Sequence, residues 1–251
     1  MSTWVFLRGL TREGRHWGEF VQTFRSQLPE ANVVAIDLPG NGRLNRTKSP
    51  WSVEEIAAHC RRQLVEQGLS PPYYLLAMSL GAMVAVAWAQ RHPDELLGCV
   101  LINTSLRPLS PFYRRLRFRN YPTLLALALR APTAPGREQA ILAMTSSGQP
   151  THDDVLPRWC AYARENPVSR TNGLRQLLAA ATYRAPRTKP RPPLLVLASA
   201  GDTLVDPRCS QQLAASWQCE LRQHPRAGHD LALDDGPWVA AQVRSWLERA
   251  R

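Results

Sequence analysis

The chain has 251 residues, 44% hydrophobic and 20% charged, with a formal net charge of +11. That length suffices for one large α/β domain or two small ones with an ample core, and the composition excludes a disordered chain. Nearly all the positive charge is arginine, since lysine occurs only at Lys48 and Lys189; the excess predicts attraction to anions and says nothing about fold.

The opening MSTWVFLRGL has no basic leader, and Arg8 interrupts its only apolar run, so no secretory signal is expected and a cytoplasmic setting is. WVFLRG from Trp4 has the continuous apolar character of a strand covered on both faces. HWGEFVQTFRSQL follows, placing Trp17, Phe20, Val21, Phe24 and Leu28 on one helical face. NVVAID from Asn32 predicts a second strand, with the turn DLPGNG, Asp37 to Gly42, behind it. SVEEIAAHCRRQLVEQG opens on Ser52 with Glu55 three residues on, a capping box, and closes at Gly68. YYLLAMS from Tyr73 is a third strand, leading through Ser79 into a helix; the apolar run around Ser79 is too short to span a bilayer. CVLINT from Cys99 is the fourth.

Between about Leu106 and Pro190 strand character disappears. YPTLLALALRAP, GREQAILAMTSSG, DDVLPRWCAYAREN and SRTNGLRQLLAAATY all read as helices, and the proline-rich RAPRTKPRPP ends the block. PLLVLASAG from Pro193 and ELRQHP from Glu220 complete six strands, and PWVAAQVRSWLERAR closes the chain with Trp238, Val239, Val243, Trp246 and Leu247 at helical spacing. The alternation predicts a mostly parallel, doubly wound sheet formed by residues 1–105 and 191–251. Residues 106–190 form a helical cap over the carboxyl ends of the strands, where open α/β sheets bind ligands. Five cysteines, Cys60, Cys99, Cys160, Cys209 and Cys219, show no CxxC spacing and leave one over in any pairing, which suits buried thiols in a reducing compartment. No metal-ligand cluster and no cofactor is expected.

Ser79 admits two readings. A serine between strand and helix is a good N-cap. With Ala77 two residues before it and Gly81 two after, it also fits the nucleophile elbow, a turn so tight that larger flanking side chains would collide with neighbouring backbone. Two further segments favour the second. VLASAGDTLVDP places Asp202 just past a buried strand, and HPRAGHDLALDD places His229 between the last strand and the last helix. Ser, Asp, His is the chain order of the triad in hydrolases built on this sheet.

With these motifs and DLPGNG, nearly the whole chain resembles an α/β-hydrolase-fold serine hydrolase. It is similar to the small, helical-capped bacterial carboxylesterases, including the pimeloyl-carrier-protein methyl esterase type. The resemblance implies an ester hydrolase working through an acyl-enzyme on Ser79, with His229 as base and Asp202 orienting it. It implies an oxyanion hole from the backbone N–H groups of Leu80 and Leu10. Thioesters, lactones and carbon–carbon bonds remain open on the same residues, as does a basic binding protein without catalysis. No nucleic-acid motif is present.

Rivals are weighed alongside. His16, His59 and His92 read as packing or surface residues, His152 falls in the cap, and His224 precedes Pro225 at a strand end. Asp206 reads as a helix cap near Pro207, Asp230 is the other acid, and Asn103 stands where some related hydrolases carry theirs. Candidate substrate contacts are Arg8, Met78 and Trp17. Arg8 stands where the family often has histidine; it either faces the cleft toward a substrate carboxylate or is tied to a nearby acid. Arg107, Arg114, Arg115, Arg117 and Arg119 form either a solvated face or a docking patch for an acidic acyl carrier protein.

Overall fold

The computed structural model describes residues 2–129, 133–148 and 154–249. Six parallel strands form one sheet in the order β2-β1-β3-β4-β5-β6. They are β1 (Ser2–Leu7), β2 (Ala31–Ile36), β3 (Tyr73–Met78), β4 (Leu96–Ile102), β5 (Leu194–Ser199) and β6 (Glu220–His224). The chain first steps outward from β1 to β2, then returns past β1 and steps the other way. The strand order therefore reverses between β1 and β3, and a crevice opens beyond their carboxyl ends.

Both faces of the sheet are covered. Trp4, Phe6, Leu76, Met78, Val100, Ile102, Leu195 and Leu197 pack with residues of α1 (Phe20–Gln27) and α11 (Gly236–Arg249). The alternate residues Val5, Leu7, Leu75, Ala77, Cys99, Leu101 and Val196 pack with α2 (Val53–Glu66), α3 (Leu80–Arg91) and α9 (Arg208–Trp217). This two-sided burial is why the strands read as unbroken apolar runs. α3 is apolar on every side because it is enclosed, with Leu80 to Ala89 all buried. The capping box of α2 forms as its sequence predicts, Ser52 Oγ accepting the Glu55 N–H at 3.2 Å. Gly68 follows with φ +70°, the left-handed turn a helix end favours.

Between β4 and β5 lie α4 (Phe112–Arg115), α5 (Tyr121–Leu129), α6 (Ala134–Thr145), α7 (Val155–Glu165) and α8 (Arg170–Thr182). Polar side chains join these helices to the loops below. Asn172 of α8 donates to the Asn45 and Thr47 carbonyls and accepts the Ser49 N–H. Gln176 donates to the Pro39 carbonyl and Asn41 Oδ1 and accepts the Thr11 N–H. No helix among the described residues is long and apolar enough to cross a membrane. Among them, too, no cluster of three metal-ligating side chains occurs.

Candidate active site

Ser79 joins β3 to α3 with φ 55° and ψ −117°, a conformation that costs a non-glycine residue about 1–3 kcal/mol and persists only where its surroundings enforce it. They do. Its N–H donates to the Ile102 carbonyl at 3.0 Å, and its own carbonyl accepts from Thr104 Oγ1 at 3.0 Å. Ala77 is fully buried in register between Leu7 and Leu101. A Cβ on Gly81 would collide with the Leu7 carbonyl and lie 2.6 Å from that of Arg8. The small flanks are therefore required by how closely α3 passes the end of β1. The serine side chain makes no cap hydrogen bond. From Leu75 to Ala89 it is the one residue not buried.

Ser79 lines a cavity of about 410 Å³ roofed by α5 to α8. His229 lines it too, in the loop between β6 and α10 (Leu231–Asp234). His229 Nδ1 lies 2.7 Å from Asp202 Oδ2, both side chains being almost fully buried. Asp202 is aimed from its other oxygen, which accepts the Leu204 and Val205 N–H groups at 2.8 and 2.9 Å. Burial alone would lower the His229 pKa; the Asp202 charge and hydrogen bond outweigh it and hold the imidazole above its usual 6.5.

Loop 8–11 passes directly beside the serine. A Cβ on Gly9 would sit 3.2 Å from Ser79 Cβ, and Leu10 lines the cavity. Leu80 is the first residue of α3, where backbone N–H groups have no acceptor inside the helix. Arg8 is in the cavity wall but is tied to an acid: its two terminal nitrogens bond both oxygens of Asp230. This pair is 2% exposed on each side. Met78 lines the cavity with its sulfur 3.9 Å from Arg8 Nη1. Trp17 does not join the cavity wall. It packs in the core against Phe6 and Phe20, with the Arg8 guanidinium 4.7 Å from its ring centre. It supports the arginine from beneath.

Of the rivals, Asp230 and His16 line the cavity, Asp230 being held there by Arg8. Asp206 accepts the Arg208 N–H at 3.0 Å at the start of α9, and His224 accepts the Ala227 N–H and meets Asp235. His152 lies outside the described residues. Asn103 accepts the Ser199 N–H and donates to Ser199 Oγ and the His229 carbonyl. His16, read from the sequence as packing or surface, packs against Trp159 and Tyr162 and also lines the cavity. It is bonded to Arg12 Nη1 and the Glu13 N–H, and burial together with Arg12 and Arg8 holds its pKa well below 6.5. Arg12 in turn pairs with Glu138 of α6 and stacks on Trp159 of α7. The cavity thus has one wall of neutralised charge and another of Leu124, Leu127, Ile141, Leu174 and Leu177. Of the expected carrier patch, Arg107 and Arg115 donate to carbonyls at the end of α8, and Arg119 to the Thr203 carbonyl.

A strained serine at a strand-to-helix turn thus lines the same cavity as the imidazole of a buried imidazole–carboxylate pair. The chain belongs to the alpha/beta hydrolase family, whose profile matches residues 4–242, and that membership supports a hydrolase. Over 226 residues it is 26% identical to the pimeloyl-[acyl-carrier protein] methyl ester esterase of Chromobacterium violaceum, covering 86% of this chain and 84% of that protein. A stretch of 105 residues, 41% of this chain, is 33% identical to the biotin biosynthesis bifunctional protein BioHC of Teredinibacter turnerae but spans only 17% of that relative. The enol-lactonase from Burkholderia xenovorans shares the fold with a TM-score of 0.80 at 16% identity, over 98% of this chain and 91% of that one.

Proposed function

We propose that the protein is a serine esterase that cleaves a carboxylic ester through an acyl-enzyme on Ser79. The observation that carries this reading is the cavity itself, which a half-buried, strained serine lines together with His229, backed by Asp202 at 2.7 Å. A serine hydroxyl is a poor nucleophile until a base takes its proton. The Nδ1–Asp202 bond leaves Nε2 of His229 for that task, and the same nitrogen then returns the proton to the leaving alcohol. Asp202 holds the tautomer and stabilises the imidazolium. The Leu80 and Leu10 N–H groups receive the oxyanion, each such donor contributing about 3–4 kcal/mol in comparable sites. Water then attacks the acyl-enzyme by the same proton route.

The name of the Chromobacterium relative supports an ester, and the apolar wall of the cavity suits an aliphatic acyl chain. An acidic acyl carrier docked near Arg114 and Arg117 is part of this proposal. It predicts that added salt slows a carrier-linked substrate and spares a small ester. The general reading is tested by rapid mixing with 4-nitrophenyl esters of graded acyl length. A burst of nitrophenol equal to the enzyme present, ahead of slower acid release, is expected. Absence of turnover on every ester would overturn it.

A further inference from the structure

A second groove lies outside the candidate active site. It has a volume of about 990 Å³ and runs along the seam between the loop after β2 and the helices α7 and α8. Its cations are Arg43, Arg46, Lys48, Arg164 and Arg175. Among the described residues Arg43, Arg46, Lys48 and Arg164 make no side-chain hydrogen bond or ion pair, and all four are exposed. The one carboxylate in the lining, Glu165, is already paired with Arg15. The groove is also built rather than incidental. Asn172 ties its floor to the backbone of residues 45, 47 and 49, while Arg175 donates to the Ser49 carbonyl and stacks 4.4 Å from the Trp51 ring centre.

The groove and the cavity share walls. Asn166 and Ser169 line both, and α8 separates them, presenting Leu174 and Leu177 to the cavity and Thr171 and Arg175 to the groove. A substrate extending from the cavity past the shared residues Asn166 and Ser169 would meet uncompensated positive charge. We propose that this groove binds a terminal phosphate group of the substrate itself, whose apolar part occupies the cavity beside Ser79. A phosphomonoester carries close to two negative charges at neutral pH and three strong acceptor oxygens, and arginine forks match that geometry. The inference rests on the cavity being the substrate site, but not on Ser79 being its nucleophile.

Calorimetric binding of octyl phosphate, octanol and inorganic phosphate to the intact protein tests it. Octyl phosphate is expected to bind at least about ten-fold more tightly than either of the others, because only it reaches both compartments. Combined Arg43→Gln, Arg46→Gln and Lys48→Gln substitutions, all at exposed side chains, should abolish that advantage. They should leave octanol binding and turnover of a neutral ester unchanged. Ser79→Ala should bind octyl phosphate as the unaltered protein does, so a wrong nucleophile assignment would not mask the result. Unchanged octyl phosphate binding in the triple variant would overturn the proposal. Inorganic phosphate binding as tightly as octyl phosphate would overturn it too, since the groove would then hold free anions unconnected to the cavity.

Discussion

Two neighbouring strand ends answer the same backbone demand in opposite ways. β3 ends at Met78 and β4 at Ile102, paired in register, and the next residues, Ser79 and Asn103, both have positive φ, 55° and 45°. Both sit at the carboxyl edge of the sheet, where polar side chains are read as functional candidates. Asn103 uses its whole amide: Oδ1 takes the Ser199 N–H at 2.9 Å, and Nδ2 reaches Ser199 Oγ and the His229 carbonyl. It is a strut that ties the loop carrying His229 to the central strands. Ser79 makes no such bond in its cap position and faces the cavity. Position on the sheet does not separate a reactive group from a structural one. On the proposed mechanism, the fate of the side chain's own hydrogen bonds does.

The largest way to break this contrast is Ser79→Ala. Loss of a nucleophile of this kind lowers kcat on the order of a million-fold, and an ester assay of the variant should show it. Asp202→Asn is next, with a fall of about 10⁴-fold expected from a misoriented imidazole. Its pH profile sharpens the assignment. The proposed mechanism requires neutral His229, and Asp202 holds that residue's pKa above 6.5 against burial. In the unaltered enzyme activity should therefore rise with pH through a point above 6.5. In the variant, with the main opposition to burial removed, that point should move down.

Arg8→Ala should destabilise the fold by about 3–5 kcal/mol, because it strands the Asp230 carboxylate without a partner in a buried site. Equilibrium denaturation measures it. The paired replacement Arg8→Met with Asp230→Leu should recover most of the loss. Because Arg8 already binds an acid, Arg8→Ala should lower turnover of neutral and acidic esters by the same factor; a selective loss on the acidic ester would assign Arg8 to substrate. Smallest is the strut. Asn103→Ala should cost about 1–3 kcal/mol of stability, the penalty for leaving buried partners unsatisfied, with ester turnover retained far above that of Ser79→Ala.

Much of the framework was legible in the sequence because its signals are local. Six short runs of strand character, most of them continuously apolar, became six strands, and the Ser52 box and Gly68 bounded α2. Boundaries moved where the apolar run was not the whole strand: β4 begins at Leu96, before the run at Cys99, as the chain leaves a 3₁₀ turn at Pro93–Glu95. The segment holding Asp202 and the one holding His229 were each recognisable, and the fold brings their side chains into contact. What stayed hidden is pairing across the chain. Arg8 and Asp230 are 222 residues apart, and Arg12 and Glu138 are 126 apart. No periodicity reports such contacts. His16 packs as read, but its partners Trp159 and Tyr162 come from the distant α7, so its place at the cavity wall was not visible in the sequence. Trp17 was read correctly as apolar and placed wrongly as a substrate contact, since its ring faces the core beneath Arg8.

The central claim is that one strained hydroxyl is the nucleophile, and a fluorophosphonate probe tests it most directly. Incubation with the purified protein followed by peptide mapping should find a single adduct, on Ser79, with no labelling of Ser79→Ala. Labelling that persists in the variant, or an adduct mapped to any other residue, would contradict the account.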